Sequence, residues 1–237
     1  SAQPAAPSAP ADHGAPGTAS AAVAGQTVRL TFPFTKAPAA AVFLRGRTLW
    51  ALFDDPAPLT LDRLEKGSAG LIVSADQAPL DGGRLVRLTL REPRLVTAAI
   101  DGGAWIVALG DDLLAPTEPI RFASAFGRGG RGLVTARVEG LGVARRIKDP
   151  AGGDELVVVT AARAPRGALR PQSFVEFTLL PTVQGVVVAP IADDIRVSVE
   201  MDELRVERDG GLALSRDSGA PLSASAAPVA GLTLGEA

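Results

Sequence analysis

The chain has 237 residues, a formal net charge of −2, 46% hydrophobic and 21% charged residues, and no cysteine. That length holds one large or two small domains, and the absence of cysteine excludes disulfides, thiolate nucleophiles and cysteine-based zinc or iron–sulfur sites. The near-neutral balance gives no long-range pull toward nucleic acid or anionic lipid, and no run approaches the roughly 20 apolar residues of a membrane-spanning helix.

In chain order, residues 1–26 are Ala, Pro, Ser and Gly with almost no large apolar side chain; burial cannot offset the entropy of ordering them, which predicts a disordered tail. The start, without an initiator methionine, suits a mature end left by signal-peptide removal as well as an arbitrary boundary. From residue 27 apolar and polar residues alternate with a period of two between Gly, Pro and Asp punctuation, which predicts strands. They fall at 28–34, 40–44, 48–53, 71–74, 85–90, 95–100, 105–109, 134–138, 155–160, 174–179, 185–188, 195–200 and 203–208. Helix is scarce: only 60–66, with Leu61 and Leu64 on one face, fits a helical period. The fold class expected is therefore all-β, with antiparallel β-sandwich-like repeat domains.

A repeat shows within 27–114. Val28-Arg29-Leu30-Thr31 recurs as Val86-Arg87-Leu88-Thr89, Trp50 follows Pro38 and Trp105 follows Pro93 at the same spacing, and each unit closes on an acidic pair, Asp54-Asp55 and Asp111-Asp112. A third segment, 174–214, is related in architecture and lacks the tryptophan. The Pro- and Gly-rich stretch 115–132, with Gly127-Arg128-Gly129-Gly130-Arg131-Gly132, reads as a hinge. It lacks the lysine and following helix of a phosphate loop, and the chain lacks the basic groove and stacking aromatics of an RNA binder. A second β domain is expected at 133–215 and a flexible linker at 216–237.

Chemistry is thinly represented. The single histidine, His13, lies in the tail, where nothing fixes it against a nucleophile or metal. No cofactor is expected. Carboxylates are the remaining catalytic candidates, since a pair on one cleft runs glycoside hydrolysis: Asp54, Asp55, Asp111, Asp112, Asp193, Asp194, Glu200, Asp202 and Glu203. Neighbours on a strand point to opposite faces, so an Asp-Asp dipeptide does not aim both groups at one substrate. Trp50 and Trp105 serve either as core or interdomain anchors or as sugar-stacking platforms. Arg45 and Arg47, among arginines alternating onto strand faces, offer a polar binding surface.

The runs from Val28 to Phe34 and from Pro38 to Asp54, echoed at 86–109, resemble the β-rich units of the amidase N-terminal (AMIN) type in bacterial envelope proteins. The run from Phe174 to Pro190 is similar to the β-rich N-terminal region of large alphaproteobacterial envelope proteins that continue into tetratricopeptide repeats. The resemblance carries no catalytic signature. It implies a periplasmic or otherwise extracytoplasmic, non-catalytic module that binds or positions a protein partner or peptidoglycan, with no nucleic acid as partner. A structural spacer presenting a helical repeat region is the alternative, and a carboxylate-dependent glycan-active enzyme a third.

Overall fold

The computed structural model describes residues 17–163 and 165–214. His13, most of the expected N-terminal tail and the expected linker from 216 lie outside them. The fold is all-β, about 56% strand and 4% helix among the described residues, in several antiparallel sheets. No helix among the described residues is long and apolar enough to cross a membrane.

The first module runs β1 (Thr18–Ala24), β2 (Thr27–Pro33), β3 (Ala40–Arg45), β4 (Thr48–Phe53), β5 (Thr60–Leu61), α1 (Asp62–Gly67), β6 (Ile72–Leu80), β7 (Gly83–Leu90), β8 (Val96–Asp101) and β9 (Ala104–Leu109). One sheet has the order β5-β1-β2-β9-β8; the facing strands are β6-β7-β4-β3. Alternation places Leu30, Phe32, Leu49, Phe53, Val86, Leu88, Trp105 and Val107 in the core between them. The hairpins β3–β4 and β8–β9 close through two-residue loops opened by Gly46 (φ 59°) and Gly102 (φ 58°), a backbone that side-chain-bearing residues adopt at a cost.

Strand pairing repeats along the first module, but at neither the 58-residue shift of the Val-Arg-Leu-Thr echo nor the 55-residue shift of the tryptophans. A shift of 56 residues carries Ser20↔Thr31 onto Asp76↔Arg87. It carries Ala40↔Phe53 onto Val96↔Leu109, and Val28↔Leu109 onto Arg84↔Phe53. Strands β1–β4 thus match β6–β9, and the units are interleaved: each sheet takes the first two strands of one unit and the terminal hairpin of the other.

The second module repeats this wiring. It contains β10 (Glu118–Pro119), β11 (Ala123–Phe126), β12 (Gly132–Arg137), β13 (Leu141–Lys148), β14 (Glu155–Ala161), β15 (Arg166–Gly167), β16 (Gln172–Ser173), β17 (Phe177–Leu180), β18 (Val186–Pro190), β19 (Arg196–Glu200) and β20 (Glu203–Glu207). Strands β11-β12-β20-β19 form one sheet, and β16-β17-β18-β14 with β13 form the other. Units β11–β14 and β17–β20 are interleaved as in the first module, and Val134, Val157, Phe177, Val188, Leu204 and Val206 fill the core.

The modules share a sheet. Strand β14 pairs with β3 at Ala161↔Ala40, and Val42 exchanges backbone bonds with Gln184. The fully buried Gln184 side chain donates from Nε2 to Ala161 O (2.6 Å) and accepts from Arg166 N–H at Oε1 (2.9 Å). A third apolar cluster, including Phe43, Trp50, Leu52, Leu85, Ile147, Leu156, Val158 and Val187, fills the space between the modules.

Two expectations are corrected. The run Gly127 to Gly132 is not a hinge between domains. It closes the β11–β12 hairpin inside the second module, with Gly127 N–H bonded to Arg131 O (2.9 Å) and a 3-10 turn at Arg128–Gly130. Part of the expected tail, 18–24, is strand β1. Its small side chains let α1 lie close: a Cβ at Gly67 would stand 2.0 Å from Ala21 O.

Candidate functional site

The four residues singled out by sequence are built into the protein. Trp105 is fully enclosed in the first core, with Nε1 donating to Pro38 O (2.8 Å). Trp50 is 2% exposed in the cluster between modules, stacked on Phe43 (5.7 Å) with Arg87 above the ring. Neither ring is open to a ligand, which corrects the stacking-platform reading. Arg45 spans two carboxylates of the β13–β14 loop, Asp149 Oδ2 (2.6 Å) and Asp154 Oδ2 (2.5 Å), and so ties module to module. Arg47 is exposed and reaches Arg91 O at 3.4 Å.

Six of the nine candidate acids are similarly committed. Asp54 accepts from Arg145 (2.6 Å) and Thr160 Oγ1 (2.8 Å) across the module boundary. Asp112 holds Arg29 (2.9 Å), Asp194 holds Arg208 (3.1 Å) and Glu203 holds Arg205 (2.7 Å). Asp55 accepts the Ala57 N–H, and Asp202 Oδ1 accepts the Gly140 N–H (2.8 Å). Among the described residues no three His, Cys, Asp or Glu side chains stand where they would hold a metal. Two buried acids were not among the sequence candidates: Asp149, which holds Arg45, and Glu176, whose Oε1 accepts Ala213 N–H (2.9 Å) with Arg208 3.7 Å away and whose Oε2 has no hydrogen-bond partner among the described residues.

Charge is tuned at the far end of the second module. Asp209 is held below the usual aspartate value of 3.8 by a hydrogen bond and the charge of Arg196. Arg196 is raised by the same carboxylate, and Arg205 is raised by its bond and charge pairing with Glu203.

The open feature is a cleft between two strand edges. Among the described residues, strand β13 pairs only with β14, and β19 only with β20. The edges converge where Arg146 donates to Ile195 O (2.6 Å) and open toward Met201. The resulting cleft, about 590 Å³, is lined by Leu141 to Ala144 on one wall and by Val197, Val199, Met201 and Asp202 on the other. A second depression of about 390 Å³ shares Val143 and Ala144 and is bounded by Leu80, Asp81 and Gly82 of the first module. Val143 is 63% exposed and Met201 95% exposed.

Met201 and Asp202 form the β19–β20 turn with φ of 46° and 63°, a conformation that Asn and Gly favour and that costs a methionine energy. The turn is held by Val138 N–H to Asp202 O (2.9 Å) and by the Gly140 bond to Asp202 Oδ1. Sequence reading missed this site because Leu141 to Lys148 alternates poorly: Gly, Ala and two adjacent arginines hide the period of two. Its ladder to β14 slips between Leu141 and Ala144. The one available signal was Met201 in a two-residue hairpin loop. Compared with known proteins, the chain matches no protein-family model and no curated protein.

Proposed function

We propose that this chain is a non-catalytic, extracytoplasmic β module of the bacterial envelope, AMIN-like in kind, that binds or positions a protein or peptidoglycan partner. The observation that carries this reading is the β13–β19 cleft: two unpaired strand edges, apolar walls and an exposed methionine fixed on a costly turn. Costly backbone that persists at an exposed site points to a task there, and unpaired edges are where extended partners add. The acids, by contrast, largely hold arginines or turn amides, which suits a scaffold better than a hydrolase.

A second reading, a structural spacer presenting a helical repeat region, is favoured by the shared sheet and the apolar cluster between modules. The two separate by retention. The full chain is passed over purified sacculi and over immobilised detergent-extracted envelope proteins, beside a Met201→Asp variant. Retention of the native chain on either material, reduced in the variant with an unchanged circular dichroism spectrum, is expected for a binder. No retention on either supports the spacer.

A further inference from the structure

The cleft also indicates what kind of partner it takes; this inference rests on the binding reading above. Exposed edges are normally blunted by shortness, proline, charge or cover. Here β5 and β16 are two residues long, and β6 carries Pro79. Strand β8 is covered by the following segment, through Thr97 Oγ1 to Asp112 O (3.0 Å) and Leu114 N–H to Thr97 Oγ1 (3.5 Å). Strand β13 has no proline, charge or covering segment over Leu141 to Ala144, and a slip in its ladder to β14 is the only such device there among the described residues. Its basic half is neutralised: Arg145 by Asp54, Arg146 by Glu155.

Side-chain space and charge then narrow the occupant. The two depressions share Val143 and Ala144 and are walled mainly by Gly, Ala, Val and Leu, with Met201 and Asp202 at the first and Asp81, Arg145 and Arg146 at the second, so they admit small apolar side chains projecting from one extended backbone. Around them Asp81, Glu200 and Asp202 are exposed acids that join none of the ion pairs formed among the described residues, although the charge of Glu200 reaches Arg205 and Arg145 donates to the Asp81 carbonyl (2.8 Å). A net acidic rim over an apolar floor attracts cationic groups at the ends of the bound segment.

We infer that the cleft binds an extended polypeptide segment of a protein partner, added as a strand to the Leu141–Ala144 edge of β13 facing β19, with small apolar residues at alternate positions and a lysine or arginine at its ends. Backbone pairing supplies the attachment, the two depressions select side-chain size, and Asp81, Glu200 and Asp202 select charge.

The test uses the full isotope-labelled chain titrated with two end-blocked octapeptides, each six alternating valines and threonines closed by lysines in one and by glutamates in the other. The lysine peptide is expected to shift amide signals at 141–146 and 197–202 and to bind about tenfold more tightly than the glutamate peptide. High salt should shrink that difference, and Val143→Pro, which removes a backbone N–H from that segment, should weaken binding. No shift, shifts elsewhere, or equal binding of both peptides overturns the inference. If the lysine peptide fails while envelope retention persists, this site assignment falls and the module reading stands. If both fail, the module reading falls as well.

Discussion

Met201 is the residue at which fold and task conflict. An L-residue with φ near +50° is strained by about 1–2 kcal/mol, and a methionine has no side-chain bond to compensate. Met201→Gly is therefore expected to stabilise the chain by about 1 kcal/mol in denaturant unfolding while weakening retention on its partner. The Asp209–Arg196 pair makes a pH statement. Because the folded-state value of Asp209 is depressed, its stabilisation is present above pH 3.8 and is lost as pH falls below that through the lower folded value. Asp209→Asn should flatten this part of the acid limb of a stability-against-pH curve; an unchanged limb would show the pair contributes nothing there. The tryptophans show what residue spacing left illegible. Counting from the prolines makes Trp50 and Trp105 equivalent, but the backbone repeat of 56 sets Trp105 opposite Leu49 and Trp50 opposite Ile106. One residue of difference turns a side chain to the other face, so Trp105 enters a module core and Trp50 the space between modules.

At the scale of the element, strands with clean alternation were legible: 48–53 matches β4, 155–160 falls within β14 (Glu155–Ala161) and 203–208 covers β20 (Glu203–Glu207). The helix expected at 60–66 lies at Asp62–Gly67 with Leu64 buried, and Thr60-Leu61 pair as β5 instead. Strand β1 was not legible because its case is made by partners. Small residues carry no burial signal of their own, yet they pair along β2 and leave room for α1. Gly67→Ala tests that account: with Ala21 O in the way of the new methyl, the helix must lift off β1, at a cost of about 1–3 kcal/mol. Faster amide exchange confined to 18–24 and 62–67 is expected; an unperturbed β1 would contradict the packing. The interleaving of units was equally hidden, since composition marks a repeat but not which copy's strand it pairs with.

For the whole molecule, the shared sheet decides how the two modules behave. With Trp50 in a cluster contributed by both, and Asp54 joined to Arg145 and Thr160 across the boundary, neither module is independent of the other. Calorimetry should give one transition with matching calorimetric and van't Hoff enthalpies. Trp50→Ala should cost about 3–5 kcal/mol and lower that single transition rather than split off one module. Two transitions in the native chain would contradict the shared core. A rigid body of this kind presents the β13–β19 cleft in a fixed frame against the Asp81-Gly82 turn of the first module, which suits positioning a partner.

On the proposed reading the molecule works through that edge. The most direct test of that reading is hydrogen exchange on the full chain while it is retained on the envelope material that binds it. Slowed exchange confined to 141–146 and 197–202 is expected. Protection centred on another surface, or none at all in the retained protein, would contradict it.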